Sequence, residues 1–227
     1  MGQLVPVAAN EPPSCRGEAA TIVGSEAADE LTGTEERDVI VSSGGDDTIV
    51  LLGGADLVCS GSGDDAVEGG RGRDILELGS GDDVADSGEG YDIISGALGA
   101  DELHGGRGGD ALFGSDGDDV IYGDPGPDAI FSGDGDDEIH TGGGNVSVNA
   151  GSGDDLIVGS VLGTPILLGQ GGGDRIWVGP GGGMAEGGAG DDQLIGGAPL
   201  TFLLGGHGFD TCARGDVIRD CEAATPI

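Results

Sequence analysis

The chain contains no lysine; its eight basic residues are all arginine. That absence excludes a Walker phosphate loop, a Schiff-base amine and a lysine general base. Aromatic residues make up only 3% of the chain, too few for an ordinary globular core. No apolar run approaches the roughly 20 residues that a membrane-spanning helix needs, so membrane insertion is not expected. The opening stretch, MGQLVPVAAN, lacks the basic end and apolar run of a signal peptide. Either a signal has been removed or export takes another route. No HExxH helix and no G-x-S-x-G elbow occur. Carboxylates are so abundant that a catalytic pair could be drawn anywhere, which makes no pair specific, and a non-enzymatic protein is expected. The net charge of −35 disfavours nucleic acid as a partner. It also opposes any compact state unless something neutralises it.

What the chain has instead is glycine, aspartate and a period. A nine-residue unit, Gly-Gly-x-Gly-x-Asp-x-U-x with U a large apolar residue, runs across residues 24–213 as 21 units and one extra residue, Gly159. Residues 69–77 (GGRGRDILE), 105–113 (GGRGGDALF), 187–195 (GGAGDDQLI) and 205–213 (GGHGFDTCA) fit it at every defined position. A short fixed period means one structural unit stacked on copies of itself. Six turn residues rich in glycine, with one aspartate, make an oxygen-lined loop for a hard cation. Three residues make a short strand whose middle side chain points inward. One inward side chain per unit buries little apolar area, and ordering glycine is costly. Without its cation the chain is expected to be disordered.

These units resemble the hemolysin-type (RTX) calcium-binding repeat family, and the ends resemble those of secreted actinobacterial members. The resemblance implies an all-β fold: a right-handed parallel β-roll with two short parallel sheets and calcium-filled turns. Residues 1–23 are then an N-terminal extension and cap, 24–213 the roll, and 214–227 a C-terminal cap. The resemblance also implies multiple Ca²⁺ ions. Each is held by sixth-position aspartates of two adjacent turns on one edge, with backbone carbonyls, in a secreted protein.

With two units per coil, alternate units place their turns on opposite edges. One row of sixth positions reads Asp29, Asp47, Asp65, Asp83, Asp101, Asp119, Asp137, Asp155, Asp174, Asp192 and Asp210 without a gap. The other, shorter row reads Asp38, Asp56, Asp74, Asp92, Asp110 and Asp128, then Val146, Pro165, Gly183 and Thr201. All four losses fall in one series, so the eighteen-residue coil is written in the sequence. Neighbouring pairs number 10 on the long row and 5 on the short one; 15 Ca²⁺ would bring +30 against the −35. The eighth positions, from Leu31 to Cys212, are branched aliphatics in nearly every unit and are expected to fill the space between the sheets.

Seventh and ninth positions are expected to face outward. Beside the short row they are apolar, with Ile75, Ile93, Phe113, Phe131, Ile166, Leu168, Met184, Phe202 and Leu204 as candidate interface residues. An exposed apolar face of this kind marks an interface, with another copy or an extracellular protein. Two other readings stay open: plain β-propensity, and cover by the chain's own N-terminal segment. Four cysteines without a CxxC pair are expected to form two disulfides, Cys15–Cys59 and Cys212–Cys221, each pinning one end. Free thiols are the alternative; zinc fits neither spacing nor histidine placement. His104, Tyr122, His140 and Trp177 share the polar face, where they are either solvated residues or a glycan or transition-metal site. The expected function is a secreted, calcium-folded structural or adhesive protein. A self-assembling fibre or surface-layer subunit and a glycan-binding module are the alternatives.

Overall fold

The computed structural model describes residues 13–160, 162–197 and 201–223. The chain winds into a β-solenoid of about 11 turns, consistent with a right-handed parallel β-roll. Two 12-stranded parallel sheets form its walls, and no helix occurs among the described residues. Pairing advances by one eighteen-residue coil, as in Ile75↔Ile93 and Leu76↔Ile94. After the extra Gly159 the step becomes nineteen for one coil, as in Leu156↔Arg175, and then returns to eighteen at Arg175↔Gln193. The insertion sits beside Trp177 and Val178, and the ladder shifts register between Trp177 and Gly179, where Trp177 pairs with Ile195 and Gly179 with Gly196.

The two walls differ. Strands that follow short-row turns, such as Ile75–Ser80, are mostly six residues long and run into the next turn. Those that follow long-row turns, such as Val84–Asp86, are mostly three residues long. A third, four-stranded ladder of two-residue strands (Gly53–Gly54, Arg71–Gly72, Glu89–Gly90 and Arg107–Gly108) lines the short-row edge.

Eighth-position aliphatics fill the interior, Ile40, Leu76, Leu103, Ile130 and Leu194 among them, all fully buried. The expectation of a single inward side chain per unit needs correction. Leu51, Leu78, Ala150 and Val178, at the first position, are also fully buried in this core, and so is nearly all of Val146. The first position is the corner where strand becomes turn, so a side chain there points in. Ser42, Ser60, Ser87 and Ser132 occupy the same corner. Each donates its Oγ hydrogen to the first-position carbonyl of the next coil at 2.7 Å, which satisfies a buried hydroxyl.

On the outward apolar face, cover by the chain's own N-terminal segment holds at one end. At its N-terminal end Val39 and Leu57 are 3% and 2% exposed. The antiparallel hairpin of Ser14–Cys15 and Glu18–Ala19 covers them. Cys15 is bonded to Cys59, and ion pairs Arg16–Glu77 (3.0 Å) and Arg37–Glu18 (2.9 Å) flank the hairpin. Ile75 is thus partly covered by the chain itself. Ile93, Leu168, Met184 and Leu204 are half-buried, whereas Phe113, Phe131, Ile166 and Phe202 are exposed. At the other end Val217–Arg219 and Glu222–Ala223 add a last strand to each sheet, and Cys212 is bonded to Cys221.

Candidate calcium sites

Stacking puts the sixth-position aspartates into two buried columns. In fifteen of them, Asp47 to Asp210 on the long row and Asp56 to Asp128 on the short row, Oδ1 accepts the backbone N–H of the aspartate one coil earlier. Those bonds span 2.7–3.0 Å. Oδ2 of the same fifteen residues is buried and has no hydrogen-bond partner. Buried polar atoms are satisfied almost without exception in folded proteins. Fifteen orphaned anionic oxygens in two rows, ten and five, are therefore the mark of a ligand set.

Backbone oxygens complete the cradle. Gly99 adopts φ +130° and Gly117 φ +138°; a Cβ at either would run into the carbonyl oxygen of the fourth-position glycine one coil earlier. These carbonyls therefore point along the solenoid from turn to turn. Carboxylate and carbonyl oxygens in a flexible loop suit Ca²⁺, which takes six to eight such ligands, better than the stricter octahedral Mg²⁺. Calcium bound there would supply positive charge between the carboxylates. The residues fit that ion. At the second position Ser43, Ala97, Ser115 and Gln170 hold positive φ without being glycine, so backbone strain is stored at these turns.

The charged state is costly in the calcium-free fold. Burial, reinforced by neighbouring carboxylates, pushes Asp83, Asp119, Asp128 and Asp155 up to about 7. It pushes Asp74, Asp110 and Asp174 to about 6. The N–H bond to Oδ1 works against the shift and does not cancel it.

Asp29 and Asp38, the first of each row, stand apart from the other fifteen. Oδ2 of Asp29 accepts the N–H and hydroxyl of Ser25 at 2.6 and 2.8 Å. Oδ2 of Asp38 accepts those of Thr34 at 2.7 and 2.9 Å, and its Oδ1 accepts Thr21 Oγ1. A hydroxyl closes each row where the stack begins. Where the short row loses its aspartate, Val146 packs into the core, Thr201 is buried, and Asn145 Oδ1 accepts Thr164 N–H at 3.1 Å. The edge loses its column of buried carboxylates there and keeps neutral side chains instead.

One set of residues escaped the sequence reading. Fifth-position aspartates of the long row form an exposed outer ladder: Asp64 N–H donates to Asp46, Asp82 N–H to Asp64, Asp136 N–H to Asp118 and Asp154 N–H to Asp136. They clamp each turn in the direction opposite to the sixth-position bonds. The signal for them was the recurring Gly-Asp-Asp, present in seven of the eleven long-row turns and in none of the short. On the polar face His104, Tyr122 and His140 stack with centroids 4.5 and 4.9 Å apart.

No curated protein matches the chain. The profile of the RTX calcium-binding nonapeptide repeat matches it four times, over residues 23–58, 60–94, 95–130 and 131–161. Beyond residue 161 the unpaired Oδ2 atoms of Asp174, Asp192 and Asp210 continue the long row. On this evidence the chain belongs to the RTX calcium-binding nonapeptide repeat family.

Proposed function

We propose that this protein is a secreted, non-enzymatic module that calcium folds into a rigid rod with a structural or adhesive role. The observation that carries the reading is the double column of fifteen unpaired, buried carboxylate oxygens, and one ion for each would nearly balance the net charge of −35. Each layer buries too little apolar surface to offset the ordering of a chain with 53 glycines. Ion binding then becomes folding energy. Calcium at extracellular, millimolar levels would assemble the rod and a calcium-poor cytosol would leave it unfolded, which suits export before folding. Two disulfides support an oxidising destination.

A second reading, self-association through the apolar face, is favoured by Phe113 and Phe131. Their rings stack 5.3 Å apart and stay 36% and 46% exposed, beyond the part of the face that the N-terminal hairpin covers. Glycan binding ranks behind it. Sugars stack on open aromatic faces; His104, Tyr122 and His140 turn their faces to one another, which leaves Trp177, 40% exposed, to carry that reading.

Far-UV circular dichroism with light scattering, during a calcium titration from a chelated start, tests the first reading. A cooperative rise in β-signal with little scattering is the expected result. No response to calcium would sink it. Scattering that rises with the β-signal, and falls in Phe113→Glu/Phe131→Glu, would give the lead to self-association.

A further inference from the structure

The C-terminal cap shortens the coil. Phe202 pairs with Val217, fifteen residues on, and Thr211 with Glu222, eleven on, where complete coils step by eighteen. The long-row turn of the cap is reduced to Asp220 and Cys221, between strands Val217–Arg219 and Glu222–Ala223. One oxygen position of the complete coils nonetheless survives. In them, a Cβ on the first-position glycine would run into both the Oδ2 of its own aspartate and the first-position carbonyl oxygen of the next coil, so the two oxygens face one small space. That holds at Gly114 for Asp119 Oδ2 and Ser132 O, at Gly169 for Asp174 Oδ2 and Gly187 O, and at Gly187 for Asp192 Oδ2 and Gly205 O. At Gly205 the same space is faced by Asp210 Oδ2 and the carbonyl oxygen of Asp220. Asp220 reaches that place with a left-handed backbone, φ 54°. Asp210 is 1% exposed and its Oδ2 is unpaired. The residue after Asp220 is Cys221, bonded to Cys212, two residues after Asp210.

We propose that the Asp210 carboxylate and the Asp220 carbonyl form a terminal calcium site beyond the last aspartate pair, held in place by the Cys212–Cys221 disulfide. The inference rests on the calcium reading above and goes past it, because the repeat itself ends at residue 213. The cap uses four fewer residues than a full turn, yet places a backbone carbonyl oxygen where a complete next coil would place its first-position carbonyl. Coupling between two sites is reciprocal. Calcium at the cap therefore shields the disulfide from reduction, and the intact disulfide strengthens calcium's hold on the last turn.

The test uses the full-length, calcium-loaded protein. It is pulsed with dithiothreitol and alkylated, and the opening of each disulfide is followed by mass spectrometry, with and without chelator. Calcium is expected to slow opening of Cys212–Cys221 markedly; at equilibrium with reduced and oxidised dithiothreitol the same coupling should shift the reduction constant of this disulfide by roughly 5- to 150-fold. Asp210→Asn should lose most of that protection while Cys15–Cys59 opens as in the parent. Asp192→Asn, which spoils the neighbouring pair and leaves Asp210 intact, should keep most of it. Equal opening rates in Asp210→Asn and parent would overturn the proposal. So would an Asp192→Asn variant that loses as much as Asp210→Asn, because the last pair would then explain the effect. Circular dichroism of the same samples separates failure of the cap site from failure of calcium folding.

Discussion

Replacing Asp119 by asparagine should reverse the sign of its effect on stability between calcium and chelator. Asp119 is 1% exposed. Its Oδ1 accepts Asp101 N–H at 2.9 Å, its own N–H donates to Asp137 Oδ1 at 2.8 Å, and its Oδ2 is unpaired. If adjacent aspartates share ions, Asp119 serves two sites, one with Asp101 and one with Asp137. A site with free calcium about 100-fold above its Kd stabilises by roughly 2.7 kcal/mol, so losing both costs up to about 5 kcal/mol. Asparagine keeps the Oδ1 acceptor and the volume, and replaces the unpaired Oδ2 by an uncharged NH2 that cannot ligate calcium. In chelator the same charge is a burden, since burial and its neighbours push the Asp119 carboxyl up to about 7; the amide should then be neutral or mildly stabilising. Asp119→Ala also strands the Asp101 N–H, a further loss of about 1–3 kcal/mol in both conditions. Thermal melts followed by circular dichroism, in millimolar calcium and in chelator, read all three proteins. An asparagine variant that melts like the parent in calcium would refute the shared-aspartate reasoning.

The carboxyls raised to about 6–7 lie near 3.9 when unfolded. The folded state therefore binds protons more tightly. The calcium-free roll should gain β-signal as pH falls from about 8 towards 4, and lose it as pH rises through 6–7. In calcium the protons compete, so the calcium midpoint should rise below pH 7; a chelated sample without acid-induced β-signal would count against the buried columns. Val146→Asp, which extends the short row past Asp128, should add one bound ion by isothermal titration calorimetry and destabilise the chelated state; unchanged stoichiometry would mean that the glycines of that turn no longer shape a site. Opening the Cys15–Cys59 link, which spans 44 residues, should cost about 4 kcal/mol, against about 2.5 for Cys212–Cys221 with its separation of 9. Melts of Cys15→Ser/Cys59→Ser and Cys212→Ser/Cys221→Ser in calcium measure both, the second loss being larger by whatever the cap-site coupling adds; a Cys15–Cys59 loss well under about 4 kcal/mol would argue that unfolded-chain entropy is not the controlling quantity.

Much of this molecule is legible in one dimension because a solenoid makes most of its contacts between residues a fixed number of positions apart. The aspartate at position six, the aliphatic at position eight and the uneven loss of aspartate from one row followed from the period alone, and the same period is the register of Ile75↔Ile93. The count of ten and five aspartate pairs meets ten and five unpaired Oδ2 atoms for the same reason: each coil repeats one relation. Tertiary structure decided what breaks the period. Ser25 and Thr34 satisfy Asp29 and Asp38 at the first turn of each row, where the repeat begins. Leu51 and Leu78 join the core because the first position turns a corner inward, a direction that spacing does not encode. The hairpin over Val39 and Leu57 and the Asp220 carbonyl over Gly205 come from segments outside the repeat, whose positions are set by packing and disulfides. A repeating sequence determines how a layer meets its copy; where the copies stop, only the folded ends determine what covers the last one.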